Sequence, residues 1–151
     1  FADGRPLILG GVLIEARRGL AGHSDADVLT HAVIDALLGA VSLGDIGQLF
    51  PDTDPAYEGI SSLVLLKDVA QRLRDMGVRV INVDSVVMAQ TPKLAPYTQK
   101  ISQRLADTLQ IDVNVVSVKA TTTERLGFVG REEGMAAQAI CLVRTDPMSG
   151  A

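Results

Sequence analysis

The chain has 151 residues, enough for one hydrophobic core and short for two domains, and we treat residues 1–151 as a single domain. Its apolar residues are nearly all aliphatic, since there is no Trp, and the net charge is −4. An acidic chain with few aromatic residues is a poor candidate for a nucleic-acid partner. No apolar run reaches the ~20 residues of a membrane-spanning helix, so we expect no membrane partner.

The first predicted element is a hairpin, because two short apolar runs flank the glycine pair Gly10-Gly11. A helix follows, with Ser24 or Asp25 as its N-cap and Gly39 as its end. A stripe of apolar residues recurs at helical spacing and is predicted to be buried: Val28, Leu29, Ala32, Val33, Ala36 and Leu37.

The same helix carries acidic and imidazole side chains four residues apart, namely Asp27, His31 and Asp35. On a helix this spacing places them along one face. Imidazole is a common ligand of divalent metals, and a neighbouring carboxylate can bind the metal or orient the ring. An ordinary surface Asp–His pair has the same spacing, so both interpretations stay open. His23 lies before the helix start, where free backbone N–H groups attract anions.

Acidic residues are concentrated in one part of the chain. No Lys or Arg occurs between Gly19 and Leu66, and seven acids lie there: Asp25, Asp27, Asp35, Asp45, Asp52, Asp54 and Glu58. Cations return later in the chain, at Lys93, Lys100, Lys119, Arg125 and Arg131. The acidic segment must therefore be solvated, hold metal ions, or face a basic surface that could belong to a neighbouring subunit.

The later elements alternate between helices and strands. Residues 42–57 form a long loop rich in Asp, Pro and Gly, and loops of this length are often functional. A helix over 60–76 ends at Gly77, strands are predicted at 78–88, 113–119 and 135–143, and another helix carries Ile101, Leu105 and Leu109. The last strand is nearly continuously apolar, so we expect both its faces, and the Cys141 thiol, to be buried. The pattern predicts an α+β fold, a mixed α/β sandwich with one layered core.

A second polar cluster follows the strand at 113–119. Thr121, Thr122 and Thr123 offer hydroxyl and backbone donors that suit a phosphate, and Glu124 offers a carboxylate that suits Mg²⁺. A plain strand end is an equally compatible interpretation, because threonine favours strands. Lys93, in the turn at 90–96, could also meet a phosphate.

Taken together, these segments resemble the 2-C-methyl-D-erythritol 2,4-cyclodiphosphate synthase family of the non-mevalonate isoprenoid pathway. The resemblance covers nearly the whole chain, and its motifs stand in order at family-like spacing. They are His23-Ser24-Asp25-x-Asp27-x-x-x-His31, Asp35-Ala36-Leu37-Leu38-Gly39, Leu43-Gly44-Asp45-Ile46-Gly47, Phe50-Pro51-Asp52-Thr53-Asp54, Ala89-Gln90-x-Pro92-Lys93 and Lys119-Ala120-Thr121-Thr122-Thr123-Glu124-x-Leu126-Gly127-Phe128-x-Gly130-Arg131.

The resemblance implies an activity and an architecture. The family cyclises 4-diphosphocytidyl-2-C-methyl-D-erythritol 2-phosphate to the 2,4-cyclodiphosphate and releases CMP. It uses a zinc ion, or another divalent transition metal, together with Mg²⁺ or Mn²⁺, as template and charge clamp. Its fold has one sheet layer with helices on one face. It is a homotrimer whose sheets face the threefold axis and whose sites lie between subunits.

Residue roles carried over by position are likewise implied by the resemblance. His31 corresponds to a zinc ligand, Glu124 to a ligand of the second metal, and His23 and Thr122 to catalytic groups that steady the transition state. The positions that correspond to substrate-binding residues are His23, Ser24, Asp45, Ile46, Gly47, Phe50, Pro51, Asp52, Thr53, Asp54, Ala89, Gln90, Thr91, Pro92, Lys93, Leu94, Ala95, Thr121, Thr122, Thr123, Glu124, Phe128 and Arg131.

The family's two other zinc ligands come from an Asp-x-His motif on an N-terminal strand, which would fall just before Phe1. We expect this motif upstream, the other interpretation being a truncated and inactive form. A non-catalytic trimer that binds a cytidine nucleotide or an isoprenoid diphosphate is the alternative function. One half of a fusion with a cytidylyltransferase is a third hypothesis. We expect a bacterial cytoplasmic location, or the plastid stroma if a transit peptide precedes the chain.

Overall fold

The structure, a computed structural model, describes residues 1–145. Its strands are β1 (Ala2–Asp3), β2 (Leu7–Leu9), β3 (Val12–Ile14), β4 (Arg18–Gly19), β5 (Val78–Met88), β6 (Val116–Thr121) and β7 (Ala136–Thr145). Its α-helices are α1 (Val28–Ala40), α2 (Ile46–Leu49), α3 (Ser62–Asp75), α4 (Thr98–Leu109) and α5 (Gly127–Gly130), with 3-10 turns at Pro55–Tyr57, Ala95–Tyr97 and Val113–Val115. None of these helices, all within residues 1–145, is long and apolar enough to span a bilayer.

The main sheet has the order β6-β5-β7, with β5 parallel to β6 and antiparallel to β7. Helices α1, α3 and α4 pack against it, and the side chains between them are aliphatic. Val83 and Val87 of β5 are about 1% exposed, and so are Ile101 and Leu105 of α4. The predicted mixed α+β class is confirmed.

The predicted hairpin is also confirmed. Strands β2 and β3 pair antiparallel, with Leu9 opposite Val12, around Gly10 and Gly11. Both glycines have positive φ, +56° and +69°, which L-residues adopt only with strain. A second small ladder joins β1 to β4 and closes this part of the chain.

The prediction that β7 is buried on both faces is wrong. Ile140 is 69% exposed and Leu142 is 59% exposed, whereas Ala139 and Val143, which point the other way, are partly buried against the helices. A continuous apolar run predicts two covered faces, but within residues 1–145 the helices cover only one. The outward face also carries the ion pair between Lys119 and Asp84.

Cys141 is half-buried between the sheet and α1, so the prediction of a core thiol is only partly right. Its Sγ donates to the Ala36 carbonyl of α1 at 3.3 Å. Burial raises the pKa of this thiol, because a thiolate there would lose solvation.

The predicted caps of α1 are wrong at both ends. The N-cap is Asp27 rather than Ser24 or Asp25, and the helix continues through Gly39 to Ala40. Leu29, Val33 and Leu37 of the predicted stripe are fully buried; Val28, Ala32 and Ala36 are only partly so. Several nearby residues have short polar side chains that can cap a helix, and contacts with a distant part of the chain select among them.

Smaller boundary differences have local causes. Helix α3 begins at Ser62 rather than residue 60, and Gly77, with φ +71°, follows its end as predicted. Residues 113–115 form a 3-10 turn, so β6 begins at Val116. The loop at 42–57 contains α2, whose N-cap is Asp45, and the turn Pro55–Tyr57.

Candidate active site

The segment that carries His23 and Ser24 is held in place from two sides. The Arg5 guanidinium donates to the Gly22 carbonyl at 2.8 Å and to the Ser24 carbonyl at 2.9 Å. On the other side, the Gly59 N–H donates to the His23 carbonyl at 2.9 Å. These bonds connect the segment to residues far away in sequence, so its conformation depends on the folded chain as a whole.

Asp27 connects α1 to the β2–β3 turn. One carboxylate oxygen accepts from the Gly10 and Thr30 N–H groups, both at 2.9 Å; the other accepts from the Gly11 N–H and the Thr30 hydroxyl, both at 2.7 Å. The side chain is fully buried, and burial raises its pKa although the four donors oppose that shift. Asp27 is therefore a structural cap and does not share a helix face with His31.

The Asp35 carboxylate also contacts another element. It accepts from the Ile46 N–H at 2.8 Å and so joins α1 to the start of α2. The predicted polar ridge of Asp27, His31 and Asp35 is therefore wrong. In residues 1–145, no group of three His, Cys, Asp or Glu side chains lies close enough to hold a metal ion.

His31 instead contacts two serines. Its Nε2 lies 2.8 Å from Ser62 Oγ and 3.2 Å from Ser24 Oγ. The Ser62 hydroxyl in turn donates to the Asp25 carboxylate at 2.5 Å. Within residues 1–145, no hydrogen bond reaches Nδ1 of His31. The ring is thus fixed at one nitrogen and free at the other, as expected of a metal ligand.

A cavity of about 540 Å³ lies against this ring. The predicted site residues that line it are His23, Ser24, His31, Ile46, Gly47, Phe50 and Asp52. Its apolar wall includes Phe50 and Tyr57, whose rings pack edge to face with centroids 5.5 Å apart. The structure therefore brings seven of the predicted residues to one opening beside α1.

The loop next to this cavity is built from aspartate caps. Asp45 accepts from the Gln48 N–H at 2.8 Å, and Asp54 accepts from the Ala56 N–H at 2.9 Å. His23 Nε2 donates to the Asp54 carbonyl at 3.2 Å. The other two predicted residues of this loop, Pro51 and Thr53, are exposed and do not line the cavity.

The remaining predicted residues form a second group where β5 and β6 end. The Ala89 N–H donates to the Thr121 carbonyl at 2.9 Å, and the Arg125 N–H donates to the Gln90 side chain at 3.1 Å. The exposed members of the turn that follows β5 are Thr91, Lys93 and Ala95, Pro92 is half-buried, and Leu94 is in the core.

Thr122 and Glu124 are adjacent in space at the end of β6. The Thr122 hydroxyl donates to the Glu124 carboxylate and accepts from the Glu124 N–H, each at 3.3 Å. Glu124 and Arg125 have positive φ, +51° and +64°, a conformation that costs about 1 kcal/mol or more per residue. The Thr123 hydroxyl closes this strained turn by donating to the Leu126 carbonyl at 2.7 Å.

Phe128 and Arg131 lie on and just after α5. Phe128 is 49% exposed, and the Arg131 guanidinium pairs with the Glu133 carboxylate at 2.8 Å. That pairing lowers the pKa of Glu133, because the neighbouring cation favours the ionised form.

Most of the predicted site residues fall into two groups. We call the residues lining the cavity beside α1 the imidazole group, and those at 89–95 and 121–124 the threonine group. No hydrogen bond, ion pair or ring contact joins the two groups in the part of the chain that the structure describes.

The contacts that Ser62 and Arg5 make were not predicted from the sequence. Ser62 and Arg5 touch the segment around His31, but neither stands near it in the sequence. Ser62 follows a predicted helix start and so resembles a cap residue, and no local signal distinguishes it from Ser61.

Comparison with known proteins points to one family. A family model described as the YgbB family matches residues 1–144. A protein of Syntrophobacter fumaroxidans named 2-C-methyl-D-erythritol 2,4-cyclodiphosphate synthase is 54% identical over 146 residues, which are 97% of this chain and 92% of that protein.

Solved structures agree with this similarity. The bifunctional IspDF of Campylobacter jejuni superposes with a TM-score of 0.93 at 47% identity, over 97% of this chain and 40% of that longer chain. The CDP complex of IspF from Plasmodium falciparum superposes with a TM-score of 0.82 at 32% identity, over 94% of this chain and 85% of that one.

Proposed function

The chain belongs to the YgbB family, and from that premise we propose that it is a cyclodiphosphate synthase. The reaction is ring closure of 4-diphosphocytidyl-2-C-methyl-D-erythritol 2-phosphate. A 2-phosphate oxygen bonds to the β-phosphorus, the bond from that phosphorus to the bridging oxygen breaks, and CMP leaves with the oxygen. Similarity over nearly the whole length to relatives named for this product is the observation that carries the proposal.

The imidazole group would bind the methylerythritol phosphate end of the substrate. His23 and Ser24 line this cavity, and so do Ile46, Gly47 and Phe50. Phosphoryl transfer depends on position and charge neutralisation more than on covalent chemistry from the protein. In this proposal His23 steadies the charge that develops in the transition state.

The threonine group would bind the cytidine diphosphate. Its exposed Thr122 hydroxyl, the Lys93 ammonium and the backbone of 89–95 are donors suited to phosphate and base edges. The solved structure of the Plasmodium falciparum relative is a CDP complex, which favours a ligand of the same class here. Thr122 is the catalytic hydroxyl in this proposal.

Two divalent cations would offset the charge of the acidic segment. The free Nδ1 of His31 fits a transition-metal ligand, and the exposed Glu124 carboxylate fits Mg²⁺ or Mn²⁺. A catalytic zinc normally takes three protein ligands. Residues 1–145 contain no cluster of that kind, so in this proposal His31 supplies only one of the three ligands. When bound, the cations neutralise phosphate charge and orient the diphosphate.

A homotrimer with its sheets toward the threefold axis is part of the same proposal. The exposed Ile140 and Leu142 give the outward sheet face the apolar character of an interface. Because the two site groups do not meet within one chain, each complete site would combine the imidazole group of one subunit with the threonine group of its neighbour. The bacterial origin of the curated relatives favours a cytoplasmic location in a bacterium.

Release of CMP tests the proposed activity. The protein is incubated with the diphosphocytidyl substrate, and CMP and the cyclic diphosphate are measured by chromatography. We expect CMP and the cyclic diphosphate to form in equal amounts. A chelator should abolish the activity, and zinc plus Mg²⁺ should restore it. CDP binding by calorimetry without any turnover would favour a non-catalytic nucleotide-binding protein instead.

A further inference from the structure

We propose that Ser62 and Asp25 are positioning residues that fix the tautomer of His31, keeping the ring proton on Nε2 and leaving Nδ1 unprotonated. The unprotonated Nδ1 is then the nitrogen available to a divalent metal. The metal-binding part of this inference rests on the proposed function; the tautomer itself is a property of the chain without metal.

The proton assignment follows from counting donors along the contacts. The Ser62 hydroxyl donates to the Asp25 carboxylate at 2.5 Å, and a hydroxyl has only one proton to donate. Ser62 Oγ then has only lone pairs to offer to His31 Nε2, which lies 2.8 Å away. A bond at that distance requires a proton on Nε2, and a neutral ring protonated there has a bare Nδ1.

Asp25, the acceptor at the end of this series of hydrogen bonds, is held rigidly. Asp25 also accepts the Ser62 N–H at 2.9 Å and the Asp27 N–H at 3.2 Å, so its carboxylate is fixed by three donors. Ser62 is fully buried at the first turn of α3. Its hydroxyl therefore cannot exchange the carboxylate for a water molecule, and the direction of the hydrogen bonds is set by the fold.

Ser24 is a weaker second partner of the same ring nitrogen. Its Oγ lies 3.2 Å from Nε2 and also accepts from the Ala26 N–H at 3.4 Å. The longer distance makes Ser62 the dominant contact. Nδ1 receives no hydrogen bond in residues 1–145, and the ring borders the cavity.

Metal-binding histidines commonly donate their second ring N–H to a carboxylate or carbonyl, which orients the ring and raises its basicity. Here a serine hydroxyl stands between the ring and the carboxylate. Ser62 stands 31 positions after His31, so α3 supplies this partner from outside the segment that carries the histidine.

Nitrogen-15 NMR of the metal-free chain tests the tautomer directly. With ¹⁵N-labelled histidine and a pH at which the ring is neutral, long-range ¹H–¹⁵N spectra show which ring nitrogen carries the proton. His31→Gln assigns the signals, since the chain has two histidines. We expect a pyrrole-type signal at Nε2 and a pyridine-type signal at Nδ1; a proton on Nδ1 in the wild type would overturn the proposal.

Asp25→Ala is the variant expected to change the tautomer of His31 most clearly. Without its carboxylate acceptor, the Ser62 hydroxyl can turn and donate to Nε2, so we expect the ring proton to move to Nδ1. Glu58→Ala is the matched control: it removes one charge from the same acidic segment at an exposed side chain, and it should leave the tautomer unchanged. A folded Asp25→Ala protein with the wild-type tautomer would contradict the proposal.

Ser62→Ala covers the case in which Asp25→Ala does not fold. We expect the Nε2–H proton to exchange with water roughly 3- to 10-fold faster, the effect of one net hydrogen bond. Ser61→Ala, an exposed neighbour without a side-chain cap bond, should exchange like the wild type. Equal exchange in Ser62→Ala and the wild type would count against the positioning role.

Zinc affinity is the second readout, measured by competition with a chromogenic chelator. Loss of a partner behind a metal ligand typically lowers affinity about 10- to 100-fold, which we expect for Ser62→Ala but not for Ser61→Ala. The tautomer result stands even if the protein releases no CMP, so failure of this inference and failure of the proposed function are distinguishable.

Discussion

At the scale of single residues, the aspartates of the acidic segment divide between structure and chemistry. Asp27 and Asp35 were predicted to flank a metal-binding histidine, yet each accepts backbone N–H groups from another element. The sequence could not separate these roles, because the partners of Asp27 are 16 and 17 residues away. His31, predicted as a metal ligand, lines the cavity beside α1, and its metal-binding role stays a prediction.

Asp27→Asn should destabilise the fold. The amide nitrogen would replace an oxygen that accepts from the Gly11 N–H and the Thr30 hydroxyl, leaving buried donors unpaired at a cost of about 1–3 kcal/mol. Urea unfolding followed by circular dichroism measures the change. Asp35→Asn, which keeps an oxygen for one exposed N–H, should cost under about 1 kcal/mol; equal losses would show that Asp27 has no special role.

Glu124→Gln should raise the Mg²⁺ requirement and spare zinc binding. Loss of one carboxylate charge at the proposed second metal site should increase the half-saturating Mg²⁺ concentration about tenfold, equivalent to roughly 1.4 kcal/mol. Activity titrations and zinc analysis by mass spectrometry measure both effects. His31→Ala is the converse variant, expected to lose zinc with little loss of fold, and zinc loss in Glu124→Gln would contradict the separation of the two sites.

At the scale of elements, the sequence predicted the β2–β3 hairpin, α3 and β5 to within two residues, and it predicted α4 without bounds. The periodicity of a strand does not state what lies on each face, so the open face of β7 was missed. Capping was missed for a related reason: several polar side chains precede α1, and the distant glycine turn decides which of them is the cap.

Gly11→Ala should destabilise the β2–β3 turn more than Gly4→Ala does. Both positions have positive φ, which costs an L-residue about 1–2 kcal/mol. Only at Gly11 would the new Cβ also meet a side chain, Leu63 Cδ1 at 2.1 Å, adding about 1–3 kcal/mol of overpacking. Urea unfolding of the two variants isolates that term, and equal losses would mean that Leu63 moves aside freely.

The Asp84–Lys119 pair should make the free energy of unfolding depend on pH, with a loss of stability in acid. Lys119 donates to Asp84 at 2.7 Å and lowers its pKa below 3.8, so the pair stabilises the native state above that pH. Its contribution is lost as the pH falls through the lowered value. Since both side chains are largely exposed, we expect under about 1 kcal/mol at neutral pH.

Urea midpoints of the wild type, Asp84→Asn and Lys119→Met at neutral and acidic pH measure this dependence, at one protein concentration. The wild-type advantage over either variant should vanish in acid. The double variant should lose no more than either single one; additive losses would mean that the two side chains do not interact.

At the scale of the whole molecule, the arrangement of the proposed site residues could not be predicted from the sequence. The motifs predict the residues of both groups, but no pattern along one chain tells whether two groups meet within it or across a boundary between copies. In residues 1–145 no hydrogen bond or ion pair joins the imidazole group to the threonine group, and Ile140 and Leu142 are exposed on the outward face of the main sheet.

Mixing two inactive variants should restore part of the activity. His23→Ala damages only the imidazole group and Thr122→Ala only the threonine group. Randomly mixed trimers would therefore contain about one site in four with both halves intact. CMP release after joint refolding measures the recovery, and native mass spectrometry confirms mixing. His23→Ala with His31→Ala is the control, expected to recover nothing; no recovery in verified mixed trimers would contradict sites between subunits.

The single thiol of the chain gives a reporter on its helical layer. Cys141 lies under α1, with its sulfur bonded to the Ala36 carbonyl and its pKa raised. An alkylating reagent attacks the thiolate and needs room to approach, so it reacts when that helix lifts from the strand beneath it. The labelling rate in mild denaturant thus reports how often α1 separates from β7, and the measurement needs no engineered cysteine.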